Sequence, residues 1–560
     1  MITEEINSFF TNIGVNLSNK LNQNLPENSN NTTYHEYMDN AQTQTFYLFK
    51  TNVNEVEKLL EKIKSNKSPG YDDLTPKFIK LCAPLLSPIL AKLFNLMTVI
   101  GLYPQDFKLA KVIPIHKSGD TSSINNYRPI SILSSLNMIF EKLLYKRIYK
   151  YLVKYKILYK YQYGFRSGHS TIQALIEMTD QIKMAINNQE LFGGIFIDLT
   201  KAFDTVSHDI LLGKMKKYGF RGITHKLFES YLKKRKQYVQ VGKTKLQSRN
   251  VLYGVPQGSV LGPLLFLIFI NDLPNGCPSG NTRIFADDTN IFLISKDIKE
   301  LENKIKLVMC QLEKWLIINK LTLNTKKSSF TIFRSPRLKI ENIPDKIAFN
   351  NSELSRAKTV KYLGVTFDEF LNFKEHTSIV CNSLKKYFRI FYNIRRYTNK
   401  QHVCTLYYSF IYSRIKYAIT VYGANSEGNI KKLQTMQNKL LKVLVSKNNR
   451  YPTNQLHNEL KLLKVRDIKD LETLTFVKNF TQNNLPPIFD NYFTKPNHSR
   501  NTRGQNSLLV VPTHRNNFGK SAMRIIGAIK WNALKPNLKA LNKVKVFRKA
   551  WKETKLPYAS

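Results

Sequence analysis

Apolar and polar positions along the chain alternate between two rhythms: long helical repeats and a few short, dense apolar runs. From Val53 to Ile63 apolar residues recur at helical spacing and stop at the turn NKSPG. A second helix is predicted from about Thr75 to Gly101, broken at Pro84 and Pro88, because an internal proline removes a backbone donor and crowds the preceding turn. AKVIPIHKSGD reads as a short strand and a Gly-Asp turn. Helical spacing returns over Leu136–Tyr155 and Thr171–Asn187. GGIFIDL is a short apolar run that suits a buried strand ending in an acid. Gln237–Val241 reads as another strand, and RIFADDTNIFLI as two apolar arms around a polar turn. Residues 378–397 carry Leu384, Phe388, Phe391 and Ile394 at helical spacing with Lys and Arg between them. Residues 20–45 are rich in Asn, Gln and Thr and read as a linker or mobile loop. Strands separated by long helices predict an α+β fold with a small central sheet.

Composition gives this pattern a partner. The 560 residues hold 86 Lys+Arg against 40 Asp+Glu, a net charge of +46. Length alone suggests about three to five domains. With 42% hydrophobic residues, wholesale disorder is excluded. Self-repulsion on this scale calls for a polyanion, nucleic acid first and an anionic membrane surface second. Residues 371–560 hold 35 Lys+Arg against 8 Asp+Glu, so over half of the excess lies in about a third of the chain. The five cysteines are far apart and lack CxxC spacing, which argues against a disulfide framework or a zinc site and for reduced, intracellular thiols. MITEEINSFF has acids where a signal peptide has bases. No apolar stretch runs uninterrupted for ~20 residues, so no membrane span is predicted.

The sharpest chemical feature is Asp287-Asp288 between the arms Ile284-Phe285-Ala286 and Ile291-Phe292-Leu293. Adjacent carboxylates repel each other's ionised forms, and apolar flanks add desolvation. Asp-Asp also suits a solvated hairpin tip. Asp198 shifts the balance, because an acid closing a core strand needs a partner. Asp198 with Asp287 would make an all-oxygen site suited to Mg²⁺, which keeps waters and recruits substrate phosphates. Two such ions ~3.5–4 Å apart clamp an in-line phosphoryl displacement. The reaction expected is nucleotidyl transfer.

These residues carry a family resemblance. FADD (285–288) resembles the F/Y-x-D-D motif of reverse transcriptases, IDLTKAFDTV (197–206) their first catalytic motif and GVPQGSVLGPLLF (254–266) their second. NKSPGYD (66–72), IPIHKSGD (113–120), NNYRPISIL (125–133), YGFRSGHST (163–171), LTLNTKKS (321–328) and VKYLGVTFD (360–368) follow the same family in order. The spacing is similar to that of non-LTR (LINE-type), especially jockey-like, retrotransposons. The likeness is strong over 50–370 and weaker to the end, where HSRNTRG and WNALKPNLKALNKVKVFRK resemble that group's tail.

The resemblance implies a right-hand polymerase fold of fingers, a palm with a small antiparallel sheet and a helical thumb, plus a basic C-terminal region. The implied division is 1–50 (N-terminal segment with polar linker), 51–368 (fingers and palm), 369–450 (thumb) and 451–560 (basic, nucleic-acid-binding). It implies RNA-directed DNA polymerase activity with two Mg²⁺, Mn²⁺ as a substitute, and dNTPs, an RNA template and a DNA primer or nicked target as partners, with no membrane. Asp198 and Asp287 would be the principal metal ligands, with Asp288 and the Leu199 carbonyl assisting. Phe203 falls at the steric gate, with plain core packing as the alternative, and Asp204 would cap the next helix. Gln257 and Gly258 would meet the nucleotide and template pairing. Lys117 and Arg128 match the triphosphate-holding residues, although either alone could be a solvated base. Lys327 falls at the lysine that protonates pyrophosphate, ambiguous by one residue with Lys326. Leu363-Gly364 would grip the primer, and Tyr161, Phe165 and Arg166 the template, with core aromatics beside solvated bases as the alternative. Members of this group carry an endonuclease ahead of the polymerase. Only about 50 residues precede the fingers here, so the nick is expected from elsewhere. Access to genomic DNA implies the nucleus at insertion, with the cytoplasm otherwise. A non-catalytic nucleic-acid-binding remnant is the rival reading, and an amphipathic membrane-surface protein a third.

Overall fold

The computed structural model describes residues 2–23, 33–39, 41–242, 244–350, 352–424, 426–496 and 508–556. Much of the predicted polar linker and the HSRNTRG segment lie outside the described residues. The chain forms two compact units. The first comprises Met1–Phe165, Ile197–Thr289 and Lys306–Ser328, and the second Arg166–Phe196, Asn290–Ile305 and Ser329–Ser560.

In the first unit a mixed sheet joins segments far apart in sequence. Leu109–His116 pairs antiparallel with Tyr127–Ile132 and parallel with Arg235–Val241. The parallel pairing departs from the expected antiparallel sheet. It becomes available because the long, largely helical excursion after Ile132 lets the chain return in the same direction. The helix Ile2–Gln23 lies on this sheet, with Phe10 and Ile13 packed on Ala110, Val112 and Val239. The helix Gly262–Ile270 is apolar all round, and Leu264 through Ile270 are all buried, as a core helix must be. Beside it Lys214 Nζ donates to buried Asp272 at 2.6 Å and to Phe269 O at 2.7 Å. The buried Glu141 carboxylate accepts from Val260 N–H (2.6 Å) and Tyr231 Oη (2.9 Å), tying down the loop that holds Gln257.

One sequence expectation is corrected here. The predicted Thr75–Gly101 helix is two, Pro76–Leu81 and Ala83–Ile100. The break falls at Cys82; Pro84 sits in the first turn of the second helix, where its missing N–H costs nothing, and Pro88 is carried inside. Ala83–Ile100 is also long and apolar enough to cross a membrane by length and hydropathy, despite Lys92. It packs on Val53–Glu61 and Gly222–Leu232, while Leu85, Ile89 and Leu96 are exposed.

In the second unit the strands Lys346–Phe349, Ser352–Arg356, Ser329–Phe333, Leu191–Ile197 and Asp288–Ser295 run side by side in that order. The Leu191–Ile197 strand is buried along its whole length. Beyond Asp368 the described chain is helical. The expected 378–397 helix appears as Lys374–Lys385 and Tyr387–Ile394. The Thr171–Asn187 helix matches its prediction at both ends, with Ser170 as its cap accepting from Gln173 N–H. On this helix the buried Asp180 accepts from Met523 N–H (2.6 Å), Arg524 N–H (3.0 Å) and Tyr492 Oη, and Lys183 Nζ donates to Ser521 O at 2.9 Å. Several basic residues of the C-terminal region are therefore engaged within the fold. Arg548 pairs with Glu472 at 2.7 Å and Lys530 with Asp470 at 2.9 Å.

Candidate active site

The three acids singled out in the sequence belong to the first unit, and each is fixed by its local backbone. Asp198 follows the buried strand directly. Leu199 bridges Leu323, and the ladder bonds run from Asn324 N–H to Asp198 O and from Thr200 N–H to Thr322 O, both 2.9 Å. They bypass the Leu199 carbonyl, which keeps it available as a ligand. Lys327 Nζ lies 4.0 Å from Asp198 Oδ2, which distinguishes it from Lys326.

Asp287 and Asp288 sit at the hairpin between Asn281–Phe285 and Asp288–Ser295. Ala286 takes φ +59°, and its N–H donates to Gln162 Oε1 at 3.1 Å. The same oxygen accepts from Gly164 N–H at 2.8 Å. A Cβ at Gly164 would lie 2.3 Å from Ala286 N, so glycine is required there. Tyr163 N–H and Ile284 N–H bond across to Ile284 O and Tyr161 O, so the YQYG segment braces the hairpin.

The acids act on one another electrostatically. Burial raises the Asp287 carboxyl above the usual carboxylate range; the Asp198 charge adds to this, while Arg128 and Lys117 oppose it. Burial also pushes Asp288 up to about 6, with Asp287 and Asp198 adding and Lys117 opposing. Among the described residues no three His, Cys, Asp or Glu side chains form a ready metal-ligand cluster. The acids form an open, all-oxygen donor set instead. Such a set fits Mg²⁺, which completes its shell with water and substrate phosphates.

A raised carboxyl has a consequence for stability. Below the unfolded-state value Asp288 is protonated in both states, and its contribution is intact. That contribution is lost as pH rises to about 6, because ionisation is costlier in the fold. Asp288→Asn is therefore expected to stabilise the metal-free protein at pH 7. The residue's surface is exposed although its carboxyl is partly desolvated, and solvent screening limits the gain to about 1 kcal/mol. Calorimetry in EDTA should show a higher Tm for the variant at pH 7 and equal values below pH ~4. A lower Tm at pH 7 would contradict the repulsion.

Bases surround the acids. Lys117 and Arg128 are exposed near the joined ends of two antiparallel strands, with Lys117 N–H donating to Asn126 O at 2.8 Å. Lys201 was missed by sequence reasoning. Its ammonium donates to Asn125 O and Tyr127 O, each at 3.3 Å. Burial lowers its pKa, Asp204 opposes this, and Lys117, Arg128 and Lys327 push it down further. The available signal was a lone base inside the apolar Asp198 block.

The Phe203 ring stacks on Phe266 at 4.4 Å and meets the edge of Phe165 at 6.3 Å, which makes it a braced wall. The predicted cap role of Asp204 is not what the fold shows. Asp204 Oδ1 accepts from Gln257 Nε2 at 2.8 Å, because the chain after Asp204 does not enter a helix until His208. Gly258 has φ +119°, and a Cβ there would lie 2.5 Å from Ser131 O, so close approach demands glycine. Ser131 N–H donates to Gln257 O at 2.7 Å. Arg166, Leu363 and Gly364 belong to the second unit. Leu363 (φ +43°) and Gly364 (φ +80°) form the turn between Thr359–Tyr362 and Val365–Asp368, and Tyr417 Oη donates to Leu363 O.

Carboxylates on a strand end and a hairpin, with bases acting on them, lie in a segment that resembles a known domain: residues 115–367 match the model of the reverse transcriptase (RNA-dependent DNA polymerase) family. The chain is similar to RNA-directed DNA polymerases of mobile elements from Drosophila melanogaster. It is 29% identical over 453 residues to the probable RNA-directed DNA polymerase from transposon BS, covering 78% of this chain and 49% of that protein. It is 28% identical over 443 residues to the RNA-directed DNA polymerase from mobile element jockey, covering 77% and 48%. It is 29% identical over 426 residues to the probable polymerase from transposon X-element, covering 74% and 46%. The chain thus spans about half the length of these relatives.

Proposed function

We propose that this chain is the RNA-directed DNA polymerase of a non-LTR retrotransposon, joining a dNTP to a primer 3′-hydroxyl on an RNA template. The observation that carries the reading is the mutual electrostatic influence of Asp198, Asp287 and Asp288, opposed by Lys117 and Arg128. Two Mg²⁺ would be held by these acids and the Leu199 carbonyl, and when bound would neutralise phosphate charge and lower the pKa of the primer hydroxyl. Lys117 and Arg128 orient the triphosphate through charge-assisted contacts. Lys327 gives a proton to the departing pyrophosphate. Phe203 crowds a ribose 2′-hydroxyl, and Gln257 and Gly258 meet the nascent base pair. Phe165 and Arg166 track the template, and Leu363-Gly364 the primer end.

The larger frame belongs to the same proposal. A right-hand division places fingers and palm in 51–368, the thumb in 369–450 and a basic nucleic-acid-binding region in 451–560. In target-primed synthesis the primer is the 3′ end of a nicked target, which puts the reaction in the nucleus. Cutting the target is a separate chemistry that this site does not perform.

The test is dTTP incorporation on poly(rA)/oligo(dT) with Mg²⁺. Templated DNA synthesis is expected, and none from the wild-type protein would refute the proposal. The same assay with rUTP tests the gate. Phe203→Val should raise ribonucleotide use relative to dTTP by about 10-fold or more, since the added hydroxyl is excluded only by a rigid wall. Unchanged discrimination would return Phe203 to plain core packing.

A further inference from the structure

The polymerase reading gives Gln257 a task but does not say what aims its side chain. We propose that Asp204 is a positioning residue that holds the Gln257 amide nitrogen and so presents Gln257 Oε1 to the incoming nucleotide. A carboxylate can only accept, so the group it bonds must be the amide's NH₂ end, and the carbonyl end is left for the substrate.

Three observations converge on this. First, Asp204 Oδ1 accepts from Gln257 Nε2 at 2.8 Å across 53 residues of sequence. This bond links the segment that carries Asp198 and Phe203 to the PQG loop. Second, the Asp204 backbone is clamped. A Cβ at Gly254 would lie 2.9 Å from Asp204 Cα, and one at Gly14 would lie 2.8 Å from Asp204 O. Val255 N–H donates to Phe203 O at 2.9 Å, and Gly254 N–H to Val206 O at 2.8 Å. The carboxylate therefore leaves a backbone with little freedom to turn away. Third, Asp204 Oδ2 is buried and has no hydrogen-bond partner among the described residues. A buried oxygen left unsatisfied costs stability, so the residue is poorly explained as a structural brace. The carboxyl is pushed up to about 6 by burial, with the Gln257 bond and Lys201 pulling it back, as expected for an acid kept in place against that cost.

The inference rests on the polymerase reading, and the experiment separates the two. Steady-state dTTP kinetics on poly(rA)/oligo(dT) are measured for wild type, Asp204→Ala, Gln257→Ala and the double variant. Each single variant should raise KM for dTTP about tenfold, the scale of losing one hydrogen bond to a charged group. The double variant should be no worse than Gln257→Ala alone, because Asp204 acts only through Gln257. Asp204→Asn keeps an accepting oxygen and should restore KM to within about twofold of wild type. A merely structural Asp204 would lower the apparent kcat and leave KM unchanged. That outcome, or additive effects in the double variant, overturns the proposal. If Asp204→Ala shows no cooperative melt, the same cycle with Asp204→Val, which fills more of the space and has no acceptor, decides. An inactive wild type would refute the polymerase reading itself, whereas an active wild type with additive variants refutes only the role of Asp204.

Discussion

Asp287→Asn is expected to lower templated dTTP incorporation by at least about 10³-fold, corresponding to about 4 kcal/mol of transition-state stabilisation. The substitution keeps the shape of the side chain and removes one charge. Asp287 is the acid whose environment registers both Asp198 and the two bases Arg128 and Lys117, so it stands at the centre of the charge arrangement. An amide there is a poor ligand for a hard cation and leaves Lys117 and Arg128 with less counter-charge. Affinity for the template–primer should change little, because that binding draws on charge spread over many other residues. The paired measurements are single-turnover incorporation and a salt-matched binding isotherm. Incorporation within tenfold of wild type would remove Asp287 from the chemistry.

The parts of this molecule written locally were legible in the sequence, and the parts written at long range were not. Thr171–Asn187 announces itself by apolar spacing and a serine cap, and the helix has those bounds. Leu191–Ile197 is a dense apolar run closed by an acid, which suffices to place a buried strand and Asp198 at its end. The Asp287-Asp288 hairpin is legible for the same reason: two apolar arms leave only the turn for charge. Pro88 misled, since one proline inside a well-packed helix is tolerated when its neighbours hold the turn. Lys201 and Asp204 were missed as site residues because their partners, Tyr127 and Gln257, lie far away in sequence. Local pattern reads Asp204 as a cap; only the fold shows what faces it. In the basic tail, too, partners lie at long range: Arg524, Lys530 and Arg548 each face an acid of the same unit.

That buried tail yields the second large effect. Asp180→Ala is expected to destabilise the second unit by about 3–5 kcal/mol, the usual cost of removing one partner from a buried charged network. Asp180 is 2% exposed, and its two oxygens serve the Met523 and Arg524 N–H groups, the Tyr492 hydroxyl and the Arg524 guanidinium. Alanine would leave the Met523 and Arg524 amides and the Tyr492 hydroxyl without this acceptor, and each orphaned buried group adds its own desolvation cost. The Met523–Asn532 helix starts at this point, so the lost carboxylate also removes the anion that faces its N-terminus. Lys183, which burial lowers to about 8, would lose the one acid that holds its pKa up. Asp180→Asn should be milder, because its carbonyl still accepts from one of the two amides. Urea unfolding followed by tryptophan fluorescence reports the change well, since Trp531 lies in the affected helix. Limited proteolysis should then open first in residues 508–556, at urea concentrations where the wild-type segment is protected. If the midpoint moves by less than the equivalent of about 1 kcal/mol, the Asp180 network does not hold the C-terminal region in place.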